Sequence, residues 1–135
     1  MTRKVITVTE DTPVEEAPRI MVEKKIRGLP VLREKELVGI ITETDLFKVF
    51  ISLFGGLRPG VRVSASISGA KGTFAMVSSA ISKAGVNIVC LGFNEAIEGS
   101  EDTWEMTMKV QDLPKSKVVE ALKPVVRKIL DVRKM

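Results

Sequence analysis

Apolar and polar residues alternate with two different rhythms along the chain, and the change falls near residue 57. In the first part the apolar positions come in short aliphatic runs: Val5-Ile6-Thr7-Val8, Leu29-Pro30-Val31-Leu32 and Leu37-Val38-Gly39-Ile40-Ile41. Their length and β-branched content predict strands, the last two buried and joined by a hairpin-sized turn at Arg33-Glu34-Lys35-Glu36. Between the first and second runs, Val14, Ala17, Ile20 and Met21 recur at helical spacing. Thr12-Pro13-Val14-Glu15 reads as the start of that helix, with Thr12 and Glu15 capping reciprocally and Pro13 at the first helical position. Pro18 removes one backbone bond inside it, so a kink or a later start is expected. A second helix opens at Thr42-Glu43-Thr44-Asp45, carries Leu46, Phe47, Phe50, Ile51 and Phe54 on a broad apolar face, and stops at Gly55-Gly56.

Leu57 to Gly60 has the composition of a short linker. Beyond it, Val61, Val63, Ala65 and Ile67 alternate with Arg62, Ser64 and Ser66, which predicts a strand with one wet face. The glycine-bearing loop Ser68 to Gly72 leads to Thr73 and a helix whose stripe is Phe74, Val77, Ile81 and Ala84. Val86 to Phe93 is the next predicted strand, and Asn94 to Asp102 an acidic loop. Trp104, Met106, Met108 and Val110 then alternate with Glu105, Thr107 and Lys109. A helix from Pro114 to Leu122 and a strand over 129–132 complete a β-α-β-β-α-β order, the ferredoxin-like one. Cys90, mid-strand, is expected in the core.

Composition narrows the chemistry. Among 135 residues there is no histidine and one cysteine. That excludes Ser-His-Asp and Cys-His triads and zinc sites of ordinary type and leaves an enzyme only Asp, Glu or Lys. With no Gly-x4-Gly-Lys-Ser/Thr loop and no identifiable carboxylate pair either, neither a metal nor catalysis is expected. No apolar run approaches the ~20 residues of a membrane span, and the opening residues do not resemble a leader. A single thiol fits a reducing cytosol. The net charge of +4 lies beyond residue 56, where 12 basic residues face 8 acidic ones. A solvated Lys-rich surface accounts for this charge more simply than nucleic-acid binding. The wet strand positions offer no aromatic on which a base would stack, so nucleic acid is not an expected partner.

Gly39-Ile40-Ile41-Thr42-Glu43-Thr44-Asp45 resembles the signature of the CBS domain: a glycine, two apolar residues, then Ser/Thr-x-x-Asp at a helix start. Val5 to Val14 and Ile26-Arg27-Gly28-Leu29-Pro30-Val31 agree with it in order. The resemblance implies an adenine nucleotide as regulatory ligand. Asp45 would hold the ribose hydroxyls, Thr42 and the helix start would meet phosphate, and adenine would lie against backbone at Ile6, Ile26, Arg27, Gly28 and Pro30. Lys4 and Arg27 would also meet phosphate. Free N–H groups at a helix N-terminus suit that anion. Thr42 and Asp45 also have the spacing of a capping box, which needs no ligand.

The second part resembles an ACT domain, through its β-α-β-β-α-β order, Gly72 in the loop before the first helix, and Gly85-Val86-Asn87-Ile88 at the second strand. That implies an amino-acid-type ligand at Gly72 and Asn87. The loop Gly69-Ala70-Lys71-Gly72 lacks the acid and proline of the family's usual Asp-x-Pro-Gly. An ordinary loop glycine and a strand-edge asparagine would look the same. Together the two parts resemble the C-terminal end of CBS-ACT proteins of the acetoin-utilisation protein B type, which carry two CBS motifs where this chain has one.

The predicted fold class is therefore α+β: a CBS motif (β-α-β-β-α, residues 1–56), a linker (57–60) and a ferredoxin-like, ACT-like domain (61–135). A lone CBS unit leaves apolar surface open. A homodimer through CBS–CBS and ACT–ACT pairing is expected, its nucleotide sites in the cleft between paired units. A dimerisation scaffold without ligands is the competing reading.

Overall fold

The computed structural model describes residues 5–96 and 102–135, and the chain divides into two units, Met1–Ser52 and Leu53–Met135. It is mixed α+β, with two sheets and four helices.

The first unit contains β1 (Val8–Thr9), α1 (Glu16–Lys24), β2 (Gly28–Arg33), β3 (Glu36–Thr42) and nearly all of α2 (Glu43–Leu53). Its sheet runs β1-β2-β3, with β1 parallel and β3 antiparallel to β2. The helix α1 starts four residues after Thr12, because Thr12 is used elsewhere: its hydroxyl accepts the Thr9 N–H at 3.0 Å in the turn leaving β1. Glu15 is the N-cap and makes no side-chain capping bond, so the predicted Thr12–Glu15 cap does not form. Pro18 thereby becomes the third residue of the helix, among the first-turn positions whose N–H has no partner anyway. The later start resolves the conflict that Pro18 posed.

Lys25 closes α1 in the left-handed region (φ 55°), and the Ile26 N–H reaches back to the Met21 carbonyl at 3.0 Å. This 6→1 bond satisfies the helix end and turns the chain into β2. Glu34 and Lys35 join β2 to β3 with φ of 49° and 72°. Positive φ at both central residues is the turn that matches strand twist in a two-residue hairpin.

The core of this unit is small: Val8, Ala17, Met21 and Leu29 are buried, with Ile6, Ile20, Ile26, Val31, Ile41 and Leu46 packed around them. The expectation that both hairpin strands are buried holds for Leu29 but not for β3. Leu37, Val38 and Ile40 are exposed, and α2 contains no buried residue. Leu29 pairs with Ile41 toward the core, whereas Ile40 pairs with Pro30 on the opposite face.

The second unit contains β4 (Val61–Ser68), α3 (Thr73–Lys83), β5 (Ile88–Glu95), β6 (Thr103–Val110), α4 (Lys115–Leu122) and β7 (Lys128–Lys134). The predicted β-α-β-β-α-β order is observed, in an antiparallel sheet ordered β5-β6-β4-β7. Val63, Ala65, Met106 and Met108 pair across β4 and β6 on the core face, where Val77 and Ile81 of α3 and Val118 and Leu122 of α4 are also buried. Residues 57–60 lie within this unit. Gly60 exchanges both backbone bonds with Met135, at 2.8 and 2.9 Å.

Two sequence expectations change on the other face of this sheet. Lys109, expected on a wet face, is only 5% exposed. Cys90, expected in the core, pairs with Lys109 and shares its face, while Leu91 and Phe93 pair with the core residues Met108 and Met106. A register shift between Ile88 and Cys90 and the segment around Gly55 and Gly60 explain both. A β-carbon at Gly55 would lie 3.0 Å from Val89 Cγ1, 3.1 Å from Lys109 Cδ and 3.8 Å from Cys90 Sγ, so this segment covers that end of the face.

Candidate functional site

The start of α2 is built by three interactions. Asp45 Oδ2 accepts the Thr42 backbone N–H at 2.8 Å and the Thr42 hydroxyl at 2.9 Å, while the Asp45 N–H points back to Thr42 Oγ1 at 3.4 Å. The Glu43 N–H donates to the Arg27 carbonyl at 3.3 Å. A β-branched run ending in a hydroxyl residue, followed three residues on by a carboxylate, turns a strand directly into a capped helix. These bonds engage three of the backbone N–H donors at the helix start, those of Thr42, Glu43 and Asp45, so Thr42 and Asp45 cap α2 as their spacing allows.

The Asp45 carboxyl is held below its ordinary value, first by the Thr42 backbone N–H, then by the Thr42 hydroxyl, with a smaller push from the Lys48 ammonium. It is therefore ionised at neutral pH. Among the described residues its second oxygen, Oδ1, has no hydrogen-bond partner, which leaves an acceptor free at the exposed mouth of the helix. Lys48 lies three residues after Asp45, where a helix brings side chains together. Sequence reading did not single it out, although that spacing was available.

Gly28 pairs with Thr42 across the hairpin, so Arg27 and Gly28 adjoin Thr42 and Asp45. A β-carbon on Gly28 would sit 3.3 Å from the Ile41 carbonyl, a tight approach that glycine avoids. Arg27 is exposed. Pro30 follows on the same strand, paired with Ile40. Ile6 and Ile26 pack against the small core, so what they can offer a planar ring is backbone rather than side chain. Lys4 lies outside the described residues.

In the second unit, Gly72 is the N-cap of α3 with φ 89°, and its carbonyl accepts the Met76 N–H at 3.1 Å. A β-carbon there would meet nothing within 4 Å, so the backbone is open to approach, but the left-handed φ alone already favours glycine. Asn87 precedes β5 and is exposed, and its carbonyl accepts the Gln111 N–H at 3.2 Å. Gly72 and Asn87 flank opposite ends of an 11-residue helix, which at 1.5 Å per residue is ~16 Å long. One copy of the chain does not bring them to a single small ligand.

With this geometry, the first 52 residues match the family model of the CBS domain, in agreement with the resemblance carried by Gly39 to Asp45. Relatives match over the same kind of length. An inosine-5'-monophosphate dehydrogenase of Thermoplasma acidophilum is 46% identical over 44 residues, which is 33% of this chain and 9% of that protein. The enzyme of the same name from Korarchaeum cryptofilum is 51% identical over 45 residues, 33% of this chain and 10% of the other. An uncharacterized protein of Methanopyrus kandleri is 46% identical over 50 residues, 36% and 26% respectively. The chain thus matches about a tenth of each dehydrogenase and about a quarter of the third relative. Among the described residues no helix is long and apolar enough to cross a membrane, and no cluster of three or more metal-ligating side chains occurs.

Proposed function

We propose that this protein is a non-catalytic regulatory module of the cytosol that binds an adenine nucleotide through its CBS motif as a homodimer, with its second unit serving as an ACT-like domain. The observation that carries the reading is the α2 start: an ionised Asp45 with one oxygen uncommitted, beside Thr42, Arg27 and Gly28, within a stretch that matches the CBS domain. Asp45 Oδ1 would accept from ribose hydroxyls and Arg27 would meet phosphate. Pairing of two chains is supported by the first unit's thin core against its exposed Ile40, Phe47 and Ile51. The separation of Gly72 from Asn87 supports it again, since only a second chain can bring such a pair to one amino-acid-type ligand.

A thermal-shift titration with AMP, ADP, ATP and S-adenosylmethionine tests the reading, on the chain and on Asp45→Ala. A ligand at 100 times its dissociation constant adds about 2.7 kcal/mol of stability. A rise in Tm with one nucleotide, lost in Asp45→Ala, is the expected result. The dimerisation scaffold is the second reading, favoured by the mutual hydrogen bonds of Thr42 and Asp45, which are those of a helix cap. Dimerisation with no shift from any of the four nucleotides would select it.

A further inference from the structure

Across the face of the second sheet that lies opposite its helices, Lys109 of β6 pairs with Arg62 of β4, and Arg62 pairs on its other side with Arg133 of β7. Three cations therefore stand in one row over three adjacent strands. Like charges directly opposite on a sheet face repel, because their β-carbons are only ~5 Å apart. Among the described residues a single carboxylate answers the row. Asp131 accepts from Arg133 Nε at 2.8 Å and Nη2 at 3.0 Å, and lies 3.7 Å from Arg62 Nη1.

The Arg62 contact is loose, and Nη1 also donates to Ser64 Oγ at 3.1 Å. Lys109 has no acidic partner among the described residues, although it is the most enclosed charge there, at 5% exposure. Its stem runs beneath the main chain at Gly55 and Gly60. No enclosed side-chain nitrogen among the described residues lacks a partner, so the Lys109 ammonium itself reaches solvent. The row keeps a surplus of two positive charges on a semi-enclosed surface, arranged against the ordinary rule for cross-strand pairs. Such local conflict is a mark of function.

We propose that the Lys109–Arg62–Arg133 row binds a phosphate group, either the free anion or the monoester of a small molecule, at a site separate from the α2 start. A phosphate placed over Arg62 relieves the repulsion that the sheet otherwise sustains. Arg62 supplies a planar fork of N–H donors, Lys109 a point charge and Ser64 a hydroxyl. Asp131 keeps Arg133 oriented and limits the row to one anion.

The test is a nitrogen-15 NMR titration of the full chain with inorganic phosphate, pyrophosphate and phenyl phosphate at constant ionic strength, repeated on Lys109→Met and Arg62→Gln. Methionine keeps an apolar stem in place of that of Lys109, and a dispersed spectrum verifies that each variant is folded. Expected are saturable shifts around Arg62, Ser64 and Lys109, weakened at least tenfold in both variants, with Lys117→Met unchanged as a surface control. Tighter binding of phenyl phosphate than of phosphate assigns the monoester, and equal binding assigns the free anion. Shifts that chloride reproduces, that survive Lys109→Met, or that fall at Thr42–Asp45 or Gly72–Thr73 overturn the proposal. So does an oligothymidine strand that binds this row more tightly than pyrophosphate.

Discussion

Single residues decide the local behaviour of both units, and glycine shows it where space rather than backbone angle is limiting. A β-carbon at Gly69 would lie 2.5 Å from Trp104 Cδ1 and 2.6 Å from Nε1, and one at Gly60 would lie 2.5 Å from the Val110 carbonyl. Gly69→Ala must push the indole aside, so we expect a loss of about 1–3 kcal/mol on denaturant unfolding and a shifted fluorescence of the chain's one tryptophan. Acid sensitivity also belongs to this scale. Arg33 lowers the Glu10 carboxyl, Arg19 that of Glu16, Thr42 that of Asp45 and Arg133 that of Asp131, each chiefly through a hydrogen bond. The folded chain therefore binds these protons less readily than the unfolded one. The stability they contribute is complete above the ordinary values of 4.5 for Glu and 3.8 for Asp, and is lost as pH falls through the lower folded ones. Tm should be level above about pH 5 and fall below it, with a smaller fall at high salt because these pairs are exposed. Thr42→Ala removes a cap and should cost about 1 kcal/mol without ligand. At the residue scale the Thr42–Asp45 constellation was legible because a capping box and the CBS signature share one spacing. The enclosure of Lys109 was not, since alternation along β6 marks a face as polar but cannot report what a distant segment lays over it.

Elements are set by their ends. The order of strands and helices followed from periodicity throughout, and the hairpin between β2 and β3 from two apolar runs around a charged quartet. What periodicity missed was which backbone group each polar side chain would bind. Thr12 closes the turn after β1 instead of capping α1, so the helix begins at Glu16. The terminators were equally hidden, because Lys25 and Lys35 take left-handed conformations that sequence reading assigns to Gly or Asn. Relieving that strain gives a direct check. Lys25→Gly and Lys35→Gly should each stabilise the fold by about 0.5–1 kcal/mol in chemical denaturation, whereas Ala at either position should not. A loss of stability in both glycine variants would mean that these ends are not left-handed in solution.

On the scale of the molecule, the apolar residues Leu37, Val38 and Ile40 of β3 and Phe47 and Ile51 of α2 are exposed in the first unit, and the proposed dimer would cover them. The pattern expects open apolar surface on a lone CBS unit, but it also reads β3 as buried, because runs of aliphatic residues look alike whether they are covered or exposed. Sedimentation should show a dimer, and Phe47→Glu with Ile51→Glu should shift it toward monomer while leaving the second unit folded. Nucleotide binding should weaken with it, because the proposed dimer places the nucleotide sites where two units would meet. An NMR titration of the uniformly nitrogen-15 labelled chain with AMP, ADP, ATP and S-adenosylmethionine in turn decides whether the α2 start binds nucleotide. One of them is expected to move the amides of Arg27, Gly28, Thr42 and Asp45 together and saturably, and Asp45→Asn to abolish the movement. If all four leave those amides in place while the chain is folded and dimeric, the α2 start is a helix cap and not a nucleotide site.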